Sequence, residues 1–395
     1  MKIGNVLYFD HQATTPVGDH VLAEMALYQS ESFGNPHSSD HRLGWESAQA
    51  VESAAARIAA LIGVDADEII FTSGATESNN LALLGLARRA VGNKRRRVLV
   101  SAIEHKCVLA AGRALEEQLG LSVEQIPVNG EGFVEVSAVE AVLDEDVLTI
   151  SIMAVNNEIG TVQNIRAISK IARSHGCIFH CDAAQAPVAM DMNFLGDCVD
   201  LLSLSGHKMY GPKGIGAAYV SRKLHDRIEP LIYGGGQQNG LRSGTLPTPL
   251  CVGMGKAADL LTGKRAEERR EQLRIRRDRF VEMVLGLVWP IALNGRTGQA
   301  RHPGNANLRF TGFSAHDILG ALQPHVAAST GSACTSGIPE PSHVLHAMGQ
   351  TGDDAEASIR FSLGFDTTDE DIEEAVVQIE RVLKRLSDAS LVRST

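Results

Sequence analysis

A chain of 395 residues, 44% hydrophobic and 21% charged, is longer than one core usually grows and too ordinary in composition for a disordered, collagenous or membrane-bundle protein. A formal net charge of −10 denies it the overall positive field on which nonspecific nucleic-acid binding rests, so no direct nucleic-acid partner is expected. Met1 to Leu7 runs into Asp10 and His11 before an apolar leader can form, and no run approaches bilayer length, which implies a cytoplasmic protein with no membrane partner.

The six cysteines, Cys107, Cys177, Cys181, Cys198, Cys251 and Cys334, include no C-x-x-C pair, the usage of reduced thiols and not of a disulfide framework. Cys177 and Cys181 lie close to His175 and His180, but on a stretch that reads as a buried strand with alternate side chains facing opposite ways. Structural thiols are therefore expected there, and no metal.

In chain order, Tyr8-Phe9 opens a short strand broken by turn residues up to Pro16, after which Val21, Leu22, Met25 and Ala26 start a helix. A polar loop at 33–39 leads to a helix over about 39–62, closed by Gly63 as a C-cap. Residues 68–72 read as a strand, Ser73-Gly74-Ala75-Thr76 as a tight turn, and 77–90 as a helix. That succession makes an anion site, because free backbone N–H groups and the helix dipole converge on one place. It lacks the Lys and spacing of a P-loop and any G-x-G-x-x-G, so it suits a phosphate but neither ATP nor a dinucleotide. The basic run 93–97 is expected to be a solvated helix end.

Strand 98–100 then leads to His105, strand 148–153 to Asn156-Asn157, strand 178–181 to Asp182-Ala183-Ala184-Gln185, and strand 199–204 to Lys208. Strands alternating with helical stretches are the signature of a parallel sheet, whose carboxyl edge is where ligands bind. Lys208 on its own reads equally as a Schiff-base amine or as a solvated lysine in a Gly-rich turn. Taken with the anion turn, the His, the amide and the Asp, it meets the needs of pyridoxal phosphate. These are a phosphate site, an amine for its carbonyl, an acid to keep the pyridine nitrogen protonated, and a flat side chain to stack on the ring.

Residues 262–280 turn into a charge-rich helix that reads as a link to a second domain. From Thr368 a closing helix carries Ile372, Val376, Ile379, Leu383 and Leu386 as one apolar stripe, which is core. Cys334 sits in Ser329-Thr330-Gly331-Ser332-Ala333-Cys334-Thr335-Ser336-Gly337. A Cys alone is more often a small buried hydrophobe, whereas a thiol on a Gly/Ser loop is a candidate nucleophile that can travel.

Several motifs in succession resemble those of the cysteine desulfurases. They are Thr72-Ser73-Gly74-Ala75-Thr76-Glu77-Ser78, Glu104-His105-Lys106, Val155-Asn156-Asn157-Glu158-Ile159-Gly160, Asp182-Ala183-Ala184-Gln185, Ser205-Gly206-His207-Lys208, Arg242-Ser243-Gly244-Thr245, Gly331-Ser332-Ala333-Cys334-Thr335-Ser336 and Arg360-Phe361-Ser362-Leu363-Gly364. The resemblance implies the aspartate-aminotransferase type I fold: a large domain over 15–262 with a mainly parallel seven-stranded sheet, and a smaller α/β domain from 1–14 and 263–395. It implies that Lys208 binds pyridoxal phosphate covalently, that Asp182 partners the pyridine nitrogen, that His105 stacks on the ring, and that Gln185 bonds its phenolic oxygen. Ala75, Thr76, Ser205 and His207 would hold the phosphate, with Thr245 reaching in from the other subunit of a homodimer. Asn157 and Arg360 would hold the carboxylate of L-cysteine, and Cys334 would take its sulfur as a persulfide for a sulfur-acceptor protein. The Cys334 loop has the long form associated with general sulfur delivery and iron–sulfur assembly. The chain ends short of the tail with which general-purpose members dock the iron–sulfur scaffold, so a dedicated pathway such as nitrogenase maturation or DNA phosphorothioation stays open. Selenocysteine lyase or aminotransferase activity, or a non-catalytic binding protein on the same fold, are the competing expectations; a thiol loop is superfluous to an aminotransferase.

Overall fold

The computed structural model describes residues 1–92, 94–331 and 342–393. The described residues form thirteen strands. In chain order these are Lys2–Ile3 (β1), Val6–Tyr8 (β2), Ile69–Thr72 (β3), Arg97–Ser101 (β4), Ser122–Ile126 (β5), Val147–Ser151 (β6), Ile178–Asp182 (β7), Leu201–Ser205 (β8) and Gly216–Val220 (β9). Ile291–Leu293 (β10), Asn305–Phe310 (β11), Val326–Ala327 (β12) and Ser358–Ser362 (β13) complete the set.

Seven of them make one sheet in the order β3-β9-β8-β7-β6-β4-β5. β4 to β8 pair in parallel with their neighbours, and β9 is antiparallel to both β8 and β3. Thus β9 alone runs against the other six, and the turns that follow β3, β4, β6, β7 and β8 all emerge on one edge. Val, Ile and Leu dominate these strands, and every residue of β3, β6, β7, β8 and β9 is buried, as a sheet covered on both faces requires. Alternate side chains go to opposite faces. Phe71, Leu99, Ile150, Phe179, Leu202 and Ala217 join one apolar core with Ile58, Leu61 and Met254, while Ile70, Val98, Leu148, Ile178, Leu201 and Ala218 join another with Leu81, Leu86 and Leu115.

A third core lies where β11 pairs antiparallel with β10 and β13. Phe280, Phe310, Phe361, Ile372, Ile379 and Leu383 pack there, so the stripe on the closing helix, Asp369–Arg393, is core. The chain's first turn crosses to this side: β2 pairs with β12, and Asp10 bridges to Ser362 at the end of β13.

The helix expected over 77–90 begins at Ala75 and passes through a wider turn of π type, Leu81–Gly85, before ending at Arg89. In the basic run Lys94 and Arg96 are exposed, as expected, but Arg95 and Arg97 are half-buried. Arg97 opens β4 and pairs with Glu124 of β5 at 2.7 Å and with Asp144, and Arg95 donates to the carbonyls of Val147 and His175. These arginines tie strand ends together. Cys181 is buried in β7, and His180 bonds Ser151 on β6 and Ser203 on β8. No described helix is long and apolar enough to cross a membrane.

Candidate active site

Five turns on the carboxyl edge of the sheet carry most of the side chains singled out from the sequence. Asp182 closes β7 and is only 4% exposed. Its Oδ1 accepts from the Ala184 N–H at 2.9 Å and its Oδ2 from Asn79 Nδ2 at 2.7 Å, so both oxygens of a buried carboxylate are oriented. Asn79, fully buried on the Ala75–Asn80 helix, also donates to Cys107 Sγ, and its own Oδ1 has no hydrogen-bond partner.

His105 caps the Lys106–Leu119 helix, with Nδ1 accepting from the Cys107 N–H at 3.2 Å and lying 3.0 Å from Cys107 Sγ. Burial lowers the imidazole below its ordinary value; the charge of Asp182 opposes this and that of Lys208 adds to it. The ring is therefore held neutral with an acceptor at Nδ1, which leaves its proton on Nε2. Burial likewise pushes the Cys107 thiol up to about 12, so this sulfur is no thiolate.

Lys208 follows β8 in a short 3-10 turn, Gly206–Lys208. Its Nζ donates to the carbonyls of Gln12 at 2.5 Å and Ala13 at 2.8 Å. Gln185 Nε2 donates to the same Gln12 carbonyl at 3.0 Å. The neighbouring His207 shares Nδ1 with the Thr14 hydroxyl at 3.2 Å, and its carbonyl accepts from the Thr15 N–H and hydroxyl. Segment 10–15 thus lies across the site as a strap. A turn was all that could be read there; a dense polar run straight after a strand was the available signal.

The turn after β3 closes against β8 and β9. A Cβ on Gly216 would sit 2.5 Å from Gly74 Cα, and one on Gly74 would reach Ser205 Oγ at 4.0 Å. Only a bare strand start lets the turn approach so closely. Ser205 is buried, Ala75 half-buried and Thr76 exposed. Glu77 holds the turn from behind, accepting from the Ser73 N–H and pairing with Arg242 at 2.9 Å. Thr245 lies on the same loop as Arg242 and is exposed.

Asn157, half-buried, receives Arg360 Nη1 on its carbonyl at 2.7 Å, while its neighbour Asn156 spends its side chain on the backbone of Ile103, Glu158 and Ile159. Arg360 comes from β13, on the small-sheet side, and its Nη2 lies 2.7 Å from Asp10 Oδ1. Cys334 lies outside the described residues. On either side of that stretch, a Cβ on Gly331 would lie 3.2 Å from Glu158 Cγ, and the Ser342 hydroxyl donates to Glu158 Oε2 at 2.5 Å.

The donor set fits pyridoxal phosphate: a buried carboxylate aimed by two donors, a neutral imidazole, an amine, and a glycine turn packed on a serine beside a helix start. The comparisons agree. The family model described as Aminotransferase class-V matches residues 7–375. Cysteine desulfurase IscS of Rickettsia bellii is 45% identical over 387 residues, covering 97% of this chain and 92% of that protein. A solved NifS-like protein superposes with a TM-score of 0.88 at 33% identity, covering 96% of this chain and 99% of its own. The structure described as SspA in complex with cysteine gives 0.78 at 37% identity, covering 90% and 98%. With nearly its whole length matched in this way, the chain belongs to the cysteine desulfurases, pyridoxal-phosphate-dependent enzymes of the class-V aminotransferase family.

Proposed function

We propose that in this cysteine desulfurase Lys208 carries pyridoxal phosphate and Cys334 carries the sulfur removed from L-cysteine. The observation that supports this most is the meeting of Lys208, Gln185 and the 10–15 strap at one carbonyl, Gln12 O, on the edge that also bears Asp182 and His105. Asp182 would hold the pyridine nitrogen, His105 would stack on the ring, and Gln185 would reach the phenolic oxygen. Ala75, Thr76, Ser205 and His207 would hold the phosphate, and Thr245 would serve the site of a second copy in a homodimer. Asn157 and Arg360 would hold the substrate carboxylate. When bound, the cofactor supplies an electron sink for the pair released at the substrate's α-carbon.

The protein's own groups then do the proton and sulfur work. The Lys208 amine takes the Cα proton, and the neutral His105, whose proton sits on Nε2, offers that N–H to the reacting atoms as a hydrogen-bond donor. The Cys334 thiolate attacks the substrate sulfur. An S–S bond forms, the Cβ–S bond breaks, and its electron pair stays with the carbon fragment, which takes a proton and leaves as L-alanine. The persulfide is then passed to a sulfur-acceptor protein, in iron–sulfur assembly or another sulfur-transfer pathway. Cys181 and Cys251 are fully buried and Cys177 nearly so, and burial raises each of the three thiols, which leaves them poor rivals for the role.

Lys208→Ala should abolish borohydride-sensitive visible absorbance and lower alanine formation at least about a thousandfold. Cys334→Ser should keep that absorbance yet release no sulfur, whereas Cys251→Ser stays active. Mass spectrometry after one turnover should find the added sulfur on the Cys334 peptide; sulfur on another cysteine, or normal alanine release from either active-site variant, rejects the assignment. Sedimentation of a fully active monomer would remove the role given to Thr245.

A further inference from the structure

Arg360 is fastened before any substrate arrives. Nη1 donates to the Asn157 carbonyl at 2.7 Å, and Nη2 donates to Asp10 Oδ1 at 2.7 Å and to Ser329 Oγ at 2.8 Å. The Ser329 hydroxyl itself donates to Asp10 Oδ1 at 2.9 Å. Nε is buried with no hydrogen-bond partner, and the whole residue is 4% exposed. A guanidinium offers a carboxylate two paired grips, Nε with Nη2 and Nη1 with Nη2. Both pass through Nη2, the nitrogen that Asp10 and Ser329 hold.

We infer that Asp10 sets the affinity of the site: it competes with the substrate carboxylate for Arg360 and so weakens the binding of every α-amino acid that the site admits. This rests on the reading of Arg360 as the carboxylate receptor. The backbone around Asp10 makes the competition possible. The Asp10 carbonyl is fixed by the Tyr8 hydroxyl at 3.1 Å, and the His11 N–H donates to the Ser362 carbonyl, so Asp10 leaves the first turn of the strap with its carboxylate turned towards β13. Two residues on, the same strap holds Lys208 through the carbonyls of Gln12 and Ala13. The competition would penalise tight binding of L-alanine, the product, which carries the same carboxylate as the substrate.

The test is Asp10→Asn, which removes the competing charge and keeps an oxygen that can accept from Ser329 and Arg360. KM for L-cysteine and the dissociation constant of L-alanine, measured by calorimetry on the holoenzyme, should both fall about tenfold, the equivalent of one charge-assisted hydrogen bond. Inhibition by cysteamine, which is cysteine without its carboxylate, should not change. Ser329→Ala, which frees one N–H of Nη2 with no change of charge, should shift the same two constants in the same direction by a smaller factor. Unchanged or weaker alanine binding in both variants, with thermal unfolding as in the parent, overturns the inference. Arg360→Gln separates this from a failure of the underlying reading: if alanine and cysteine bind that variant normally, Arg360 is no carboxylate receptor, whatever Asp10 does.

Discussion

Glu104 stands beside His105 with no water to share its charge. It is fully buried; Oε1 accepts from the Ser101 hydroxyl and the Met153 N–H, both at 2.7 Å, and Oε2 has no partner. Burial, with the charge of Asp182 added, pushes the carboxyl from 4.5 up to about 8, so at neutral pH it is mostly protonated. The sign follows from linkage. Above 4.5 the unfolded chain has lost this proton while the folded chain keeps it until about 8, so over that window this residue makes stability fall as pH rises. Glu104→Gln is nearly isosteric and does not titrate. Its Tm relative to the parent should therefore climb from pH 4.5 to about 8 and level off beyond; a pH-independent difference in calorimetric scans would show that the carboxyl is ionised throughout. Nothing in Glu104-His105-Lys106 distinguishes a buried neutral acid from an exposed charged one. The distinction comes from burial beneath other elements, the largest cause of the shift.

At the scale of elements, the site is a product of close approach between backbones. β9, the one strand running against the rest, starts at the edge where the functional turns emerge, and its first residue, Gly216, leaves room for Gly74 and for the Leu204 carbonyl within 2.6 Å of where a Cβ would stand. Both obstacles are backbone and cannot swing aside. Gly216→Ala should destabilise the chain by about 1–3 kcal/mol or more, as overpacking does, lowering the denaturant midpoint with an unchanged m-value. It should also weaken cofactor binding, because the 73–76 turn must lift off Ser205. An alanine variant with parental midpoint and cofactor affinity would mean that the turn is not seated as described. The strap is the second element-level device. Segment 10–15 begins on the small-sheet side at Ser362 and ends on the His207 carbonyl, so it joins β13 to the turn after β8 and places Arg360 and Lys208 under one short stretch of chain.

Over the whole molecule, burial governs the response to acid. It lowers His11, His180 and His207 to about 4 and His302 to about 3 from an ordinary 6.5. Each stays neutral when folded and binds a proton once unfolded, so between pH 6.5 and about 4 the unfolded chain holds more protons and stability rises with pH. Tm should drop steeply as pH is lowered through that window, with proton uptake on unfolding in calorimetry; a flat Tm there would mean that these rings are already charged in the folded state. Near neutrality the opposing slope of Glu104 remains.

What the sequence alone determined is what is local or periodic. Apolar strands ending in polar turns, the Ser73-Gly74-Ala75-Thr76 turn before a helix, and the spacing of His105, Asp182 and Lys208 after successive strands are each contained in a few consecutive residues, and the rule that ligands meet parallel sheets at their carboxyl ends gathers them. The stripe on the closing helix is legible for the same reason, through its helical period. Tertiary structure decided the contacts whose partners are far apart along the chain. Asn79 beneath Asp182, Asp10 on Arg360, Gln12 over Lys208 and Gly216 against Gly74 join residues at least 103 positions apart in each hydrogen-bonded case. Within the basic run, Lys94 and Arg96 are exposed as expected, whereas Arg95 and Arg97 are half-buried, because their acceptors, Glu124, Val147 and His175, are brought to them only when the strands pair. An exposed Arg and a cross-linking Arg have the same sequence neighbours; burial and the charges of other elements, which no local pattern encodes, set which of the two it becomes.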